Sequence, residues 1–234
     1  MSGGAIMNSP WFDPALVEAV TEFVPPWLAM GLVVASLLGS IYVIGPAVLA
    51  LAVRHREPVA TSWPGILLAG YGSFVFLKVW LDVPRPRITS PLAGAELPFW
   101  FEPLHTVAVG FETGGWPSGH MVAGTVFYGL ATVDLPTGTF RQRASLTAII
   151  LGAIGIARIG LGEHYLVDVV GGAVVGGLIL LAGIWLRSHT AVPERLTLLG
   201  TVPAILAVLA GDVLYGGILV GTGATVAILQ HRFL

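Results

Sequence analysis

Residues 144–187 read ASLTAIILGAIGIARIGLGEHYLVDVVGGAVVGGLILLAGIWLR. The two apolar runs here, 144–161 and 165–186, are each long enough to cross a hydrocarbon core of ~30 Å as a helix. Their ionisable side chains are few and grouped: Arg158 near the end of the first run, Glu163 and His164 in the joint, Asp168 near the start of the second. Two membrane helices thus meet at one surface, and that surface carries the charge. Ionisable groups at membrane depth are costly, and by default they mark function.

The rest of the chain agrees with a membrane setting. Of 234 residues, 55% are hydrophobic and 10% charged, against about 25% charged in an ordinary soluble domain. Mean hydropathy is +0.86, and the 31 glycines fit membrane helices better than soluble ones. A net charge of −2 with scattered cations gives no handle for nucleic acid. The absence of cysteine rules out disulfides and thiolate metal sites. Residues 1–9 contain no Lys or Arg, unlike a secretory signal peptide. The fold class expected is all-α: a polytopic transmembrane bundle forming one integral membrane domain over 1–234.

Further spans are expected at 27–53, 64–83 and 118–135, with an apolar pair over 196–230 turning near Gly211 and Asp212, giving six to seven in all. The segment 10–24 mixes aromatic and acidic residues and suits a helix lying in the interface. The spacings Gly172-xxx-Gly176 and Gly217-xxx-Gly221 could allow close helix contact, but in so glycine-rich a chain they are read as chance matches. Of the 11 cations, Arg54, Arg56, Arg141, Arg143, Arg187, Arg195 and Arg232 fall in alternate loops, on one side. Cytoplasmic loops are enriched in Lys and Arg, so that side is assigned to the cytoplasm. Lys78, Arg85, Arg87 and Arg158 fall on the other.

Those outer cations accompany a pattern: Lys78-x6-Arg85-Pro86, then Pro117-Ser118-Gly119-His120, then Arg158-x5-His164-x3-Asp168. All three pieces lie at span ends facing one side and can converge. Lys78 and Arg85 are two helical turns apart, and a point charge beside a planar guanidinium suits a phosphate. Ser118 and Gly119 open a span, where free N–H groups favour an anion and glycine permits close approach. His164 and Asp168, at i, i+4, allow the carboxylate to fix the imidazole tautomer and leave the other nitrogen as nucleophile or base. His120, from another helix, suits a general acid. Arg158 adds a third cation for developing charge.

The three pieces resemble the motifs of the type 2 phosphatidic acid phosphatase (PAP2) superfamily, K-x6-RP, PSGH and SR-x5-H-x3-D, over residues 78–168, about 40% of the chain. The resemblance implies a phosphatase-like core over 64–187 with its active site at the extracytoplasmic ends of the core helices. By that likeness His164 is the nucleophile forming a phosphohistidine, Asp168 its orienting partner, and His120 the acid for the leaving oxygen. Lys78, Arg85, Ser118, Gly119 and Arg158 form the phosphate-binding set. The likeness implies no metal or other cofactor. One departure is Ala157, where the family usually has Ser. A second is the single clear span before Lys78, where many members have two.

The function expected is hydrolysis of a lipid phosphate or isoprenoid diphosphate monoester, phosphatidic acid and polyprenyl diphosphates being the candidates. A phosphotransferase would use the same residues. An anion transporter or channel would also fit intramembrane cations but gives no reason for the His164–Asp168 pair. A vanadate-dependent haloperoxidase would share the oxyanion site, but the known ones are soluble. The partners are membrane lipids; oligomeric state is left open. Outside the motifs, Asp82 and Arg87 are read as interface charges, and His105 as an exposed loop residue. His55, His189 and His231 fall on the cytoplasmic side. Glu96, Glu102 and Glu112 are read as hydrating the outer loop, and Glu163 is a candidate for tuning the nucleophile.

Overall fold

The computed structural model describes residues 10–86, 88–109, 114–189 and 192–233; Arg87 and Glu112 lie outside them. The described residues form helices and no strands, the all-α class expected. The helices are α1 (Ala15–Glu22), α2 (Pro26–Leu37), α3 (Ile41–Arg54), α4 (Trp63–Leu81), α5 (Glu102–Val109), α6 (Gly119–Asp134), α7 (Phe140–Gly160), α8 (Leu166–Arg187), α9 (Pro193–Leu209) and α10 (Val213–Phe233).

Local chemistry sets the helix ends. Thr139 caps α7 in a reciprocal box with Gln142: the Gln142 N–H donates to Thr139 Oγ1 at 3.2 Å, and the Thr139 N–H to Gln142 Oε1 at 2.8 Å. Pro64 and Pro193 sit in the first turns of α4 and α9, where a missing N–H costs nothing. Asp82 ends α4 in the left-handed region at φ 44°. Gly211, at φ 116°, turns α9 into α10 at the expected place.

Among the described residues, four segments are long and apolar enough to cross a membrane: Glu57–Leu81, which carries α4, and the helices α7, α8 and α10. The pair α1 and α2, bent by 119°, makes a fifth if counted as one span. Helix length and composition therefore do not match the expected six to seven. The reasons are local. The expected span 27–53 is divided between α2 and α3 by a break at Leu38, Gly39 and Ser40. Helix α6, with 16 residues, is ~24 Å long at 1.5 Å per residue. It is enclosed by α4, α7 and α8 and buries Val122, Ala123, Val126 and Leu130 almost completely.

Two packing relationships hold the site's helices. A Cβ on Gly172 would lie 2.7 Å from the Ser118 carbonyl oxygen, and one on Gly176 2.8 Å from that of Val122. The Gly172-xxx-Gly176 spacing is thus the contact surface between α8 and α6, contrary to its reading as chance; side chains would hold the backbones apart. Gly217 and Gly221 face open space, as chance would have it. At the far end of the same helices, Asp134 receives both Arg187 Nη atoms at 2.6 and 2.7 Å and Trp63 Nε1 at 2.8 Å. This pin joins the start of α4 to the ends of α6 and α8, leaving their opposite ends to converge on the motif residues.

Candidate active site

Helix α7 ends in a turn at Leu161 and Gly162, the latter at φ 76°. The chain folds back so tightly that the N–H groups of Glu163 and His164 both donate to the Arg158 carbonyl, at 3.1 and 3.2 Å. This places the third-motif arginine and histidine on one wall. Helix α8 begins at once, and in its first turn Asp168 Oδ2 accepts the Tyr165 N–H at 2.9 Å while facing His164 Nδ1 at 3.2 Å. One carboxylate oxygen both caps a helix and orients the imidazole. His164 is 1% exposed and Asp168 fully buried, so the pair is held dry.

A cavity of about 80 Å³ lies in front of His164. Its wall includes Lys78 and Arg85 from α4 and the segment after it, Gly119 and His120 from the start of α6, and Arg158. Six of the eight residues singled out from the sequence therefore face one cavity, and Asp168 stands behind it. Ser118 does not line it. Its N–H donates to the Asp168 carbonyl at 3.0 Å, and its hydroxyl is buried without a partner among the described residues. The N–H expected to await an anion is used to join α6 to α8.

Each cation is held. Lys78 Nζ donates to the carbonyls of Gly114 and, at 3.5 Å, Gly115, so the proline-rich connection after α4 folds over it. Arg158, 1% exposed, donates to Ser36 Oγ at 2.9 Å and the Ala108 carbonyl at 2.6 Å. It also reaches Glu163 Oε2 at 3.3 Å, and Arg85 reaches the same oxygen at 2.8 Å. His120 Nε2 is buried with no partner among the described residues, poised in the first turn of α6. A Cβ on Gly39 would lie 2.6 Å from the His120 carbonyl oxygen, so the break between α2 and α3 lets α6 approach.

Burial pushes the His164 imidazole well below its ordinary pKa, and the Arg158, Arg85 and Lys78 charges add to the effect. The ring is neutral near pH 7, as a nucleophile requires. Burial pushes the Glu163 carboxyl up, against the downward pull of Arg158 and Arg85. Among the described residues no cluster of three His, Asp or Glu is placed to hold a metal ion.

Several wall residues lie outside the sequence reading. Tyr71 and Phe74 of α4 and Ser40 and Ile41 at the start of α3 complete the cavity. The helical spacing of Tyr71 from Lys78, seven residues, was a signal available in the sequence. Ser36 and Ala108 carried none, because their contacts with Arg158 span 122 and 50 residues. His105, read as an exposed loop residue, sits on α5 with Nε2 buried, because α5 and Phe101 just before it pack against α2, with Phe101, Ala108, Ala29 and Val33 in one buried cluster.

Fold and cavity together define a multi-pass helical membrane protein with a cationic cavity at one end of its bundle. The fold is similar to the crystal structure of a transmembrane PAP2 type phosphatidylglycerolphosphate phosphatase from Bacillus subtilis, at a TM-score of 0.61 and 18% identity, covering 80% of this chain and 91% of that one. The sequence profile of the PAP2 superfamily matches residues 62–191, more than half of the chain, and the chain belongs to that superfamily. No curated protein sequence matches it. Ser36, Gly39 and Ile41 lie before the matched region, so part of the site's surroundings is contributed from outside it.

Proposed function

We propose that this chain is a membrane lipid phosphatase that hydrolyses a lipid phosphate or isoprenoid diphosphate monoester through a phosphohistidine. One observation carries the reading: the His164–Asp168 pair and the unpartnered His120 come from different helices to a single small cavity walled by Lys78, Arg85 and Arg158. Three cations of the chain itself meet the phosphate charge, and no metal is part of the proposal.

The geometry supports this sequence of steps. Asp168 holds the proton on His164 Nδ1, so that Nε2 carries the lone pair. Nε2 attacks phosphorus; the N–P bond forms as the P–O bond to the lipid breaks, and His120 gives its proton to the departing oxygen. Water then attacks phosphorus, His120 takes the water's proton, and the N–P bond breaks to release inorganic phosphate. The head group occupies the cationic end, and the apolar tail leaves past Ile41, Phe74 and Tyr71 toward the bilayer.

The active side is proposed to be extracytoplasmic. Arg54, Arg141, Arg143, Arg187, Arg195 and Arg232 all lie at or near helix ends opposite the cavity. That is the distribution expected of a cytoplasmic face. Phosphate release from the detergent-solubilised protein, measured on a panel of lipid phosphates with and without chelator, tests the reading. Release from no lipid phosphate, or release that the His164→Ala variant retains, would contradict it.

A further inference from the structure

Tyr71 sits on α4 two helical turns before Lys78, on the same face and ~10 Å farther from the cationic mouth. Its ring lines the cavity beside Phe74, with ring centroids 5.4 Å apart. Its hydroxyl is buried and has no hydrogen-bond partner among the described residues. An unpaired hydroxyl at membrane depth is costly, and a phenylalanine of the same shape would line a tail passage without that cost. The neighbouring wall residues, Phe74, Ile41 and Gly39, are apolar or lack a side chain, so the phenol is the one polar side-chain group described in this part of the wall apart from Ser40.

A substrate whose phosphate lies among Lys78, Arg85 and Arg158 places at Tyr71 the atoms several bonds back from the scissile bond. In a glycerolipid phosphate those atoms include ester carbonyls, which are acceptors in need of a donor. In an isoprenoid diphosphate the oxygens end at the second phosphate, and hydrocarbon occupies that depth. We propose that Tyr71 is a specificity-determining residue whose O–H donates to an ester carbonyl of a diacylglycerol phosphate, directing the site toward glycerolipid phosphates. The proposal rests on the phosphatase reading above and adds the substrate class.

The test compares kcat/KM for dioleoyl phosphatidic acid and for its dialkyl ether analogue, which lacks the carbonyls, on the purified full-length protein and on Tyr71→Phe. Farnesyl diphosphate and the His164→Ala variant are run alongside. The natural protein is expected to prefer the ester by about fivefold or more, the worth of one net hydrogen bond, and Tyr71→Phe to abolish that preference. Equal use of ester and ether by the natural protein overturns the proposal, and this arm stands even if Tyr71→Phe does not fold. A preference that survives in Tyr71→Phe overturns it as well. A loss on farnesyl diphosphate as large as that on phosphatidic acid overturns the ester assignment, giving the hydroxyl to a phosphate oxygen common to both. Turnover by His164→Ala would instead defeat the phosphatase reading.

Discussion

Arg158 and Glu163, on either side of the turn that ends α7, meet at 3.3 Å, and the oxygen that joins them is the one that holds Arg85 at 2.8 Å. The carboxylate therefore stands between two guanidiniums proposed to bind phosphate. It can fix them in place, and it also repels any dianion that approaches them. The Coulomb term between charges this close and only partly solvated favours repulsion as the larger effect on anion binding. Replacing Glu163 with Gln keeps the shape and removes the charge. Inhibition by inorganic phosphate or vanadate is expected to tighten by about three- to tenfold. Unchanged or weaker inhibition would show that the carboxylate acts mainly as a brace.

The depressed pKa of His164 sets the direction of a pH effect. A lowered pKa keeps the neutral ring, the form proposed to attack phosphorus, populated as pH falls, so the acid limb of kcat/KM is expected below the usual imidazole range. Arg85 is among the cations that depress it. In Arg85→Gln the His164 pKa rises, and the acid limb moves to higher pH on top of an overall loss of activity. Profiles of both proteins on one substrate check this, since the substrate's own ionisation is common to them. A limb that stays put or moves down contradicts it.

Asp168 shares Oδ2 between the Tyr165 N–H and His164 Nδ1. An amide in its place can present an N–H to Nδ1 and so move the ring proton to Nε2, disabling the proposed nucleophile. Asp168→Asn is expected to lower kcat by roughly 10²–10⁴-fold while KM changes far less, as when the orienting acid of a triad is lost. Steady-state kinetics on the folded variant check this; a loss confined to KM would assign Asp168 to binding.

The pin at the opposite end of the bundle gives a stability prediction. Asp134→Ala leaves Arg187 without its carboxylate and Trp63 Nε1 without its acceptor. A cost of about 1–3 kcal/mol is expected, seen as a lower thermal midpoint in detergent. Arg187→Ala, which removes the cation and leaves the Trp63 bond intact, is expected to cost less. Equal midpoints for Asp134→Ala and the natural protein would show that the pin carries no stability.

How far this could be read from the chain varies by feature. Lys78, Arg85, His120, Arg158 and His164 announce themselves because ionisable groups are scarce in so apolar a sequence, and helical spacing puts them at neighbouring span ends. The apolar runs likewise mark α4, α7, α8 and α10. The close approach at Gly39 is not legible, since His120 comes to it from a helix far along the chain. Nor is the role of Ser118's N–H, which depends on where Asp168 lies in space. The importance of Tyr71 rests on an unmet hydrogen bond, a property that only the packed structure possesses. Length and composition alone count fewer spans than expected, because the run 27–53 is broken into α2 and α3 and α6 has only 16 residues.

In the proposed mechanism His164 becomes phosphorylated during turnover. Rapid acid-free quenching of the purified protein with phosphatidic acid, followed by peptide mass spectrometry under neutral conditions, measures this directly. A phosphoryl adduct is expected on the peptide containing His164, absent when His164 is replaced with Ala, together with loss of phosphate release in that variant. An adduct on another residue, or phosphate release that continues without His164, would contradict it.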